Sequence, residues 1–136
     1  MPDAGASGLD GALRRVGDRW TLLVVAALLD GPRRFGELQE AVPGVATNVL
    51  SSRLRELERQ GLVVTRPYSE RPLRLEYELS AGAGELAGAI RLLAAWGAAA
   101  GDVPAPLHAV CGTPLEIQLW CPTCQQVADP DEEVWA

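Results

Sequence analysis

Apolar positions recur at helical spacing through the first sixty residues, at strand spacing over the next twenty, then at helical spacing again. Ser7 and Asp10 stand where a short first helix begins, running through Leu9, Leu13 and Val16 to Gly17. Asp18 then caps a second helix, Arg19 to about Leu29, stopped by Asp30-Gly-Pro32. This helix is apolar nearly all round (Trp20, Leu22, Leu23, Val24, Val25, Leu28, Leu29), which predicts burial on most sides, in part under a partner subunit. Arg33 to Val42 reads as a third helix with Phe35, Leu38 and Val42 on one side, ended by Pro43-Gly44. A fourth, Ala46 to Gln60, places Leu50, Leu54 and Leu57 on one buried stripe, with Gly61 positioned to end it. Two helices joined by a short Gly-containing turn make a helix-turn-helix outline.

Two β-prone runs follow, Leu62 to Tyr68 and Leu73 to Leu79, with Ser69-Glu-Arg-Pro72 as the turn between them. The second alternates, with Leu73, Leu75, Tyr77 and Leu79 on one face and Arg74, Glu76 and Glu78 on the other. Ser80 precedes a long last helix, about Ala81 to Ala100, whose Ala-rich stripe suits a dimer contact. The predicted fold class is mainly α with a small β-hairpin. It is a winged helix-turn-helix with a long C-terminal dimerisation helix and a short Cys-rich appendage. Residues 1–100 form the DNA-binding and dimerisation domain and 101–107 a linker. The zinc-ribbon-like appendage spans 108–128 and an acidic tail 129–136. No internal repeat is visible in the residues.

Composition sharpens this outline. The 136 residues are 48% apolar but hold only four Trp, two Tyr and one Phe, so Ala, Val and Leu must build the core. The net charge of −6 conceals an asymmetry: all twelve basic residues are Arg, and all lie between Arg14 and Arg91. An acidic chain is a poor non-specific nucleic-acid binder, yet an Arg-rich middle still makes a local footprint. The apolar run from Trp20 to Leu29 falls short of the roughly 20 residues needed to span a bilayer, and no export cleavage pattern follows it. These features predict a cytoplasmic protein with no membrane partner.

With its leucines turned inward, the fourth helix presents Asn48, Ser52, Arg55 and Arg59 outward, with Thr47 and Ser51 at the margin. Asn can bond adenine bidentately, Arg can do the same to guanine, and small hydroxyls permit close approach in a major groove. Arg33 and Arg34, at the start of the third helix, suit phosphate contacts, and Arg71 and Arg74 in the wing suit phosphates or the minor groove. Read plainly, some of these Arg are solvated surface residues paired with Glu56 or Glu58. The partner predicted is double-stranded DNA, bound by a homodimer. A rival is a winged-helix adaptor that binds protein without reading DNA. An enzyme is disfavoured by a single His, His108, and by the lack of a glycine-rich phosphate loop or nucleophile elbow.

At this point the chain resembles the HxlR-type winged-helix transcriptional regulators of bacteria. The likeness runs through Val16-Gly-Asp-Arg-Trp20, Leu28-Leu-Asp-Gly-Pro-Arg-Arg-Phe35, Glu37-Leu38, Val42-Pro-Gly44, Leu54-Arg-Glu-Leu57, Gly61-Leu-Val63, Tyr68 with Pro72, Glu76-Tyr77 and Trp96-Gly97. It implies a dimer on a partly palindromic operator, with first and last helices at the interface, the reading segment on Ala46 to Arg55 and the wing on Arg66 to Leu75. Several redox-sensing members carry a reactive cysteine just before the first helix, aligned here with Ser7, and serine forms no thiolate. A small apolar effector is then expected in a cavity that includes Trp20 and Trp96, unless both simply pack in the core.

The remaining chemistry is C-terminal. His108-Ala-Val-Cys111 and Cys121-Pro-Thr-Cys124 give H-x2-C and C-x2-C pairs, the ligand spacing of a structural zinc site, with Gly112 after the first pair. Three cysteines, all beyond position 110, point to a metal or redox role and not to disulfide stapling. A thiol-redox-responsive regulator using the Cys121–Cys124 pair is the alternative.

Overall fold

The computed structural model describes residues 8–101, 103–116, 118–129 and 131. Ser7 and most of the predicted acidic tail lie outside the described residues. The chain divides into two compact units, one ending at Ile90 and the other beginning at Arg91. No helix among the described residues is long and apolar enough to cross a membrane.

The first unit opens with α1 (Gly8–Val16) and α2 (Arg19–Leu28). Asp18 starts α2 as expected: its Oδ1 accepts from the backbone N–H of Trp20 at 3.0 Å and of Thr21 at 3.1 Å. The Arg53 guanidinium donates to the same carboxylate at 3.0 and 3.3 Å, so the cap also ties α2 to the fourth helix. Partial burial pulls the Asp18 carboxyl upward, but the Thr21 N–H, Arg53 and the Trp20 N–H outweigh it and hold it below the usual aspartate value.

Where a third helix was expected from Arg33, the chain instead forms a two-residue strand, β1 (Arg33–Arg34), before α3 (Phe35–Ala41). Two residues are too short to show a period, which is why the pattern hides them. After the turn at 42–46, in which Gly44 adopts φ 86°, comes α4 (Thr47–Arg59). Leu50, Leu54 and Leu57 on α4 are buried, as their spacing predicts. Gly61 stands at φ 72° beyond the end of α4. The Leu62 N–H reaches the Leu57 carbonyl and the Gly61 N–H that of Glu58, closing the helix as a Schellman motif.

The hairpin is β2 (Val63–Glu70) and β3 (Leu73–Leu79), longer at its tip than expected, with a register shift between Pro67 and Ser69. β1 adds to the far side of β3, pairing Arg33 with Tyr77 and Arg34 with Glu76, so the wing is a three-stranded antiparallel sheet in the order β1-β3-β2. Alternation on β3 succeeds only near the body. Tyr77 and Leu79 pack against the core, while Leu73 is 68% exposed because the tip extends past it. The expected single last helix is interrupted: α5 (Ala81–Gly84), capped by the Ser80 hydroxyl, and α6 (Leu86–Ala99) meet at Glu85. The Ala-Gly-Ala-Gly sequence of α5 has weak helix propensity, which suits a break there.

The core gathers Val24, Val25 and Leu28 of α2, Leu38 and Val42 around α3, the three leucines of α4, and Leu62, Val63 and Ala83. Leu23 remains 41% exposed, so α2 is covered on three sides and not all round.

In the second unit, β4 (Trp120–Cys121) pairs with β5 (Gln126–Val127), and Leu107 bridges Pro114.

Asp18→Ala is expected to cost about 0.5–2 kcal/mol in urea unfolding at neutral pH, through loss of the N-cap. Because the folded carboxyl ionises at lower pH than the unfolded one, this contribution is complete above the ordinary aspartate range. It vanishes as pH falls through the lowered value, so variant and parent should converge in acid. Leu54→Ala is expected to cost about 2–5 kcal/mol, against within about 0.5 kcal/mol for Asn48→Ala on the opposite face. Equal costs in the same unfolding assay would contradict the burial described for α4.

Candidate nucleic-acid interface

With the leucine stripe of α4 facing the core, Thr47, Asn48, Ser52 and Arg55 are exposed and Ser51 is half-buried. Among the described residues, the side chains of Asn48 and Ser52 have no hydrogen-bond partner, which leaves their donors and acceptors available. Thr47 is steadied across the turn, its hydroxyl accepting from Gln39 Nε2 at 3.0 Å. Arg55 lies loosely along its own helix, with Nε 3.4 Å from the Ser51 carbonyl. Arg59 is held to Glu56 at 2.7 and 2.6 Å. Hydrogen bonds from Arg59 and then Gln60 hold the Glu56 carboxyl below its ordinary value. This end of the outer face therefore follows the plain reading of an ion pair along the helix, while the first three turns stay open.

A groove of about 380 Å³ separates α4 from the sheet and is lined by Ser51, Arg55, Glu58, Thr65 and Tyr77 among others. Burial, and then the Glu58 charge, push the Tyr77 hydroxyl upward, so it stays a neutral donor. A second, more open groove of about 740 Å³ runs between α3 and the wing, with Arg34, Gln39, Tyr68 and Arg74 on its walls together with Glu37 and Glu40.

The two Arg at the start of β1 have different surroundings. Arg33 is partly buried and its Nε donates to the Ala27 carbonyl at 2.7 Å, joining β1 to the end of α2. Arg34 is exposed, stacks over the Tyr68 ring at 4.1 Å and lies 3.6 Å from Glu37. Exposed ion pairs of this sort contribute little, so the Arg34 guanidinium can exchange Glu37 for another anion while Tyr68 keeps it flat. Arg71 at the wing tip and Arg74 beside it are exposed, and neither forms an ion pair among the described residues.

Gln39, Arg53 and Tyr68 escaped the sequence reading. Gln39 acts across the turn to Thr47 on the next helix, and Tyr68 through Arg34, far away in the chain, so only the folded arrangement reveals them. Arg53 lies off the outer face of α4 and serves the Asp18 cap. Of the two expected effector residues, Trp20 packs against the core beneath the Arg19 guanidinium, 4.5 Å from its ring centre, and Trp96 is 76% exposed.

The C-terminal donors fall into two pairs. His108 Nδ1 lies 3.2 Å from Cys111 Sγ, and the Cys124 N–H donates to Cys121 Sγ at 3.4 Å. Hydrogen bonds from Thr113 and then His108 lower the Cys111 thiol to about 7. Those from Cys124 and Thr123 lower Cys121. Among the described residues, no three His, Cys, Asp or Glu side chains meet in a group that can hold a metal ion.

Residues 15–103 match the family model for the HxlR-like helix-turn-helix. A relative from Mycobacterium tuberculosis, named as an HTH-type transcriptional regulator, is 39% identical over 120 residues, covering 83% of this chain and 74% of its own. The reduced form of the transcriptional regulator YodB from Bacillus subtilis superposes with a TM-score of 0.59 at 30% identity, over 71% of this chain and 91% of that one. The redox regulator HypR in its oxidised form gives 0.65 at 28% identity, over 70% and 98%. An outward-facing α4, a wing at its side and these likenesses together place the chain in the HxlR-like helix-turn-helix family of transcriptional regulators.

Proposed function

We propose that this regulator binds a specific, partly palindromic DNA operator as a homodimer and acts as a repressor. One observation carries the reading: the leucines of α4 are buried while Thr47, Asn48, Ser52 and Arg55 stand together in solvent over the first three turns. The N-terminal part of a recognition helix enters the major groove deepest, and this is where the unpartnered Asn48 lies. Asn48 and Arg55 read base edges, with Ser51 and Ser52 allowing close approach. Arg34, Arg71 and Arg74 contact phosphates or the minor groove and set the register. Arg33 contributes chiefly by fixing β1 to α2, since its Nε is already committed to Ala27. A second copy of the chain is favoured by apolar side chains left in water, Leu9 and Leu13 on α1 and Leu93 and Trp96 on α6.

Selection of bound sequences from random duplexes tests this directly. Symmetric half-sites about one helical turn apart, or a multiple of it, are expected. Against the selected site, Asn48→Ala and Arg55→Ala should each lose about 1–3 kcal/mol of preference for the correct base. Arg34→Ala and Arg71→Ala should weaken all sequences alike and reduce the salt slope by about one each. Equal affinity for selected and random DNA, in the parent and every variant, would refute base reading and favour a protein-binding adaptor.

A further inference from the structure

The Cys-rich appendage contains a duplication of backbone that its residues conceal. In the first half, Leu107 bridges Pro114, the Leu115 N–H reaches the Pro106 carbonyl, and the Gly112 N–H closes on the His108 carbonyl at 2.8 Å. In the second half, Trp120 pairs with Val127, the Ala128 N–H reaches the Leu119 carbonyl, and the Gln125 N–H closes on the Cys121 carbonyl at 2.8 Å. Position for position, the two hairpins superimpose by one constant offset. Each carries a donor side chain at the first residue of its turn and another three residues later. Each then places a positive φ at the following residue, 70° at Gly112 and 55° at Gln125.

That shared geometry has a physical cost. Gln125 is the one non-glycine residue with positive φ among the described residues, a conformation that L side chains rarely adopt. In return, each turn aims its pair of donors at one side of the hairpin. His108 Nδ1 and Cys111 Sγ approach to 3.2 Å. The Cys121 sulfur accepts the Cys124 N–H at 3.4 Å.

Cohesion supplies a second, independent argument. None of the described residues from Val103 to Asp131 is buried, although Leu107, Val110, Leu115, Leu119 and Trp120 are all more than half exposed there. A segment this short with no core of its own needs a staple, and the usual ones are disulfides or a structural metal. All three cysteines are free thiols, one in the first hairpin and two in the second.

We propose that His108, Cys111, Cys121 and Cys124 bind one zinc ion per chain and that the ion closes the two hairpins onto each other. Each hairpin is a half-site, one carrying His108 and Cys111 and the other Cys121 and Cys124. Three thiols give up their protons to solvent, and three Zn–S bonds of about 2.3 Å and one Zn–N bond of about 2.0–2.1 Å form a tetrahedral site. With four protein ligands no position remains for water, so the ion is structural and not hydrolytic. Zinc binding at this site does not require that an operator be read.

The test uses the full chain. Native mass spectrometry of protein purified under reducing conditions from zinc-supplemented cells should show one zinc per chain. Cobalt added after chelation should saturate at the same stoichiometry, with thiolate charge-transfer bands and d–d bands of tetrahedral intensity. Cys111→Ser and Cys121→Ser, one in each hairpin, should each abolish that spectrum, with circular dichroism reporting that the helical unit is still folded. Hydrogen exchange in the unaltered chain provides a readout independent of the variants: the Gly112 and Gln125 amides should gain protection on adding zinc and lose it with chelator. Absence of bound metal, a stoichiometry other than one per chain, a tetrahedral spectrum that survives either substitution, or a Cys121–Cys124 disulfide in the reduced preparation would overturn the proposal. DNA binding measured on the same samples keeps the two readings separate, since zinc can be present whether or not an operator is read.

Discussion

The burial of Leu50, Leu54 and Leu57 determines which side chains of α4 face outward. A stripe at this spacing can face the core in only one rotation of α4, and turning the helix would expose leucines at a cost of about 1.5–3 kcal/mol each. The rotation being fixed, Asn48, Ser52 and Arg55 have nowhere to point but outward. The surrounding contacts hold this orientation from three directions: Arg53 to the start of α2, Gln39 to Thr47 across the turn, and the Schellman closure at Gly61. Polar residues thus acquire their exposure from apolar ones, and the outward face of α4 is a by-product of packing.

How much of this the residues disclose depends on how many of them a feature spans. Helices α1 to α4 and β3 are legible because each repeats its period and carries a cap or breaker, as Asp18 and Gly61 do, and β2 because Val63, Val64 and Thr65 are β-branched. The strand at Arg33 is invisible because pairing with Tyr77 and Glu76, distant in the chain, creates it. The break at Glu85 is weakly coded by the glycines of α5, which the apolar stripe through Leu86 and Ile90 overshadows. Among site residues, the outward face of α4 follows from its periodicity alone. The different situations of Arg33 and Arg34 do not, since adjacent Arg are indistinguishable until the Ala27 carbonyl takes one and the Tyr68 ring the other.

The appendage reverses the usual relation between sequence and structure. Its two hairpins share almost no residues, so comparison of side chains finds no repeat, yet their pairing and turn-closing backbone contacts correspond. What is common is the spacing of sulfur or imidazole donors and the sharp turn that the spacing demands. In a segment lacking a core, such turn chemistry replaces hydrophobic periodicity as the feature under constraint.

The pairing of β1 with β3 makes the base of the wing continuous with the first residue before α3. Sheet and helix-turn-helix are therefore welded at Arg34, and neither can tilt without dragging the other. Any tilt of the wing away from α4 has first to break the pairing of Arg33 with Tyr77 and of Arg34 with Glu76.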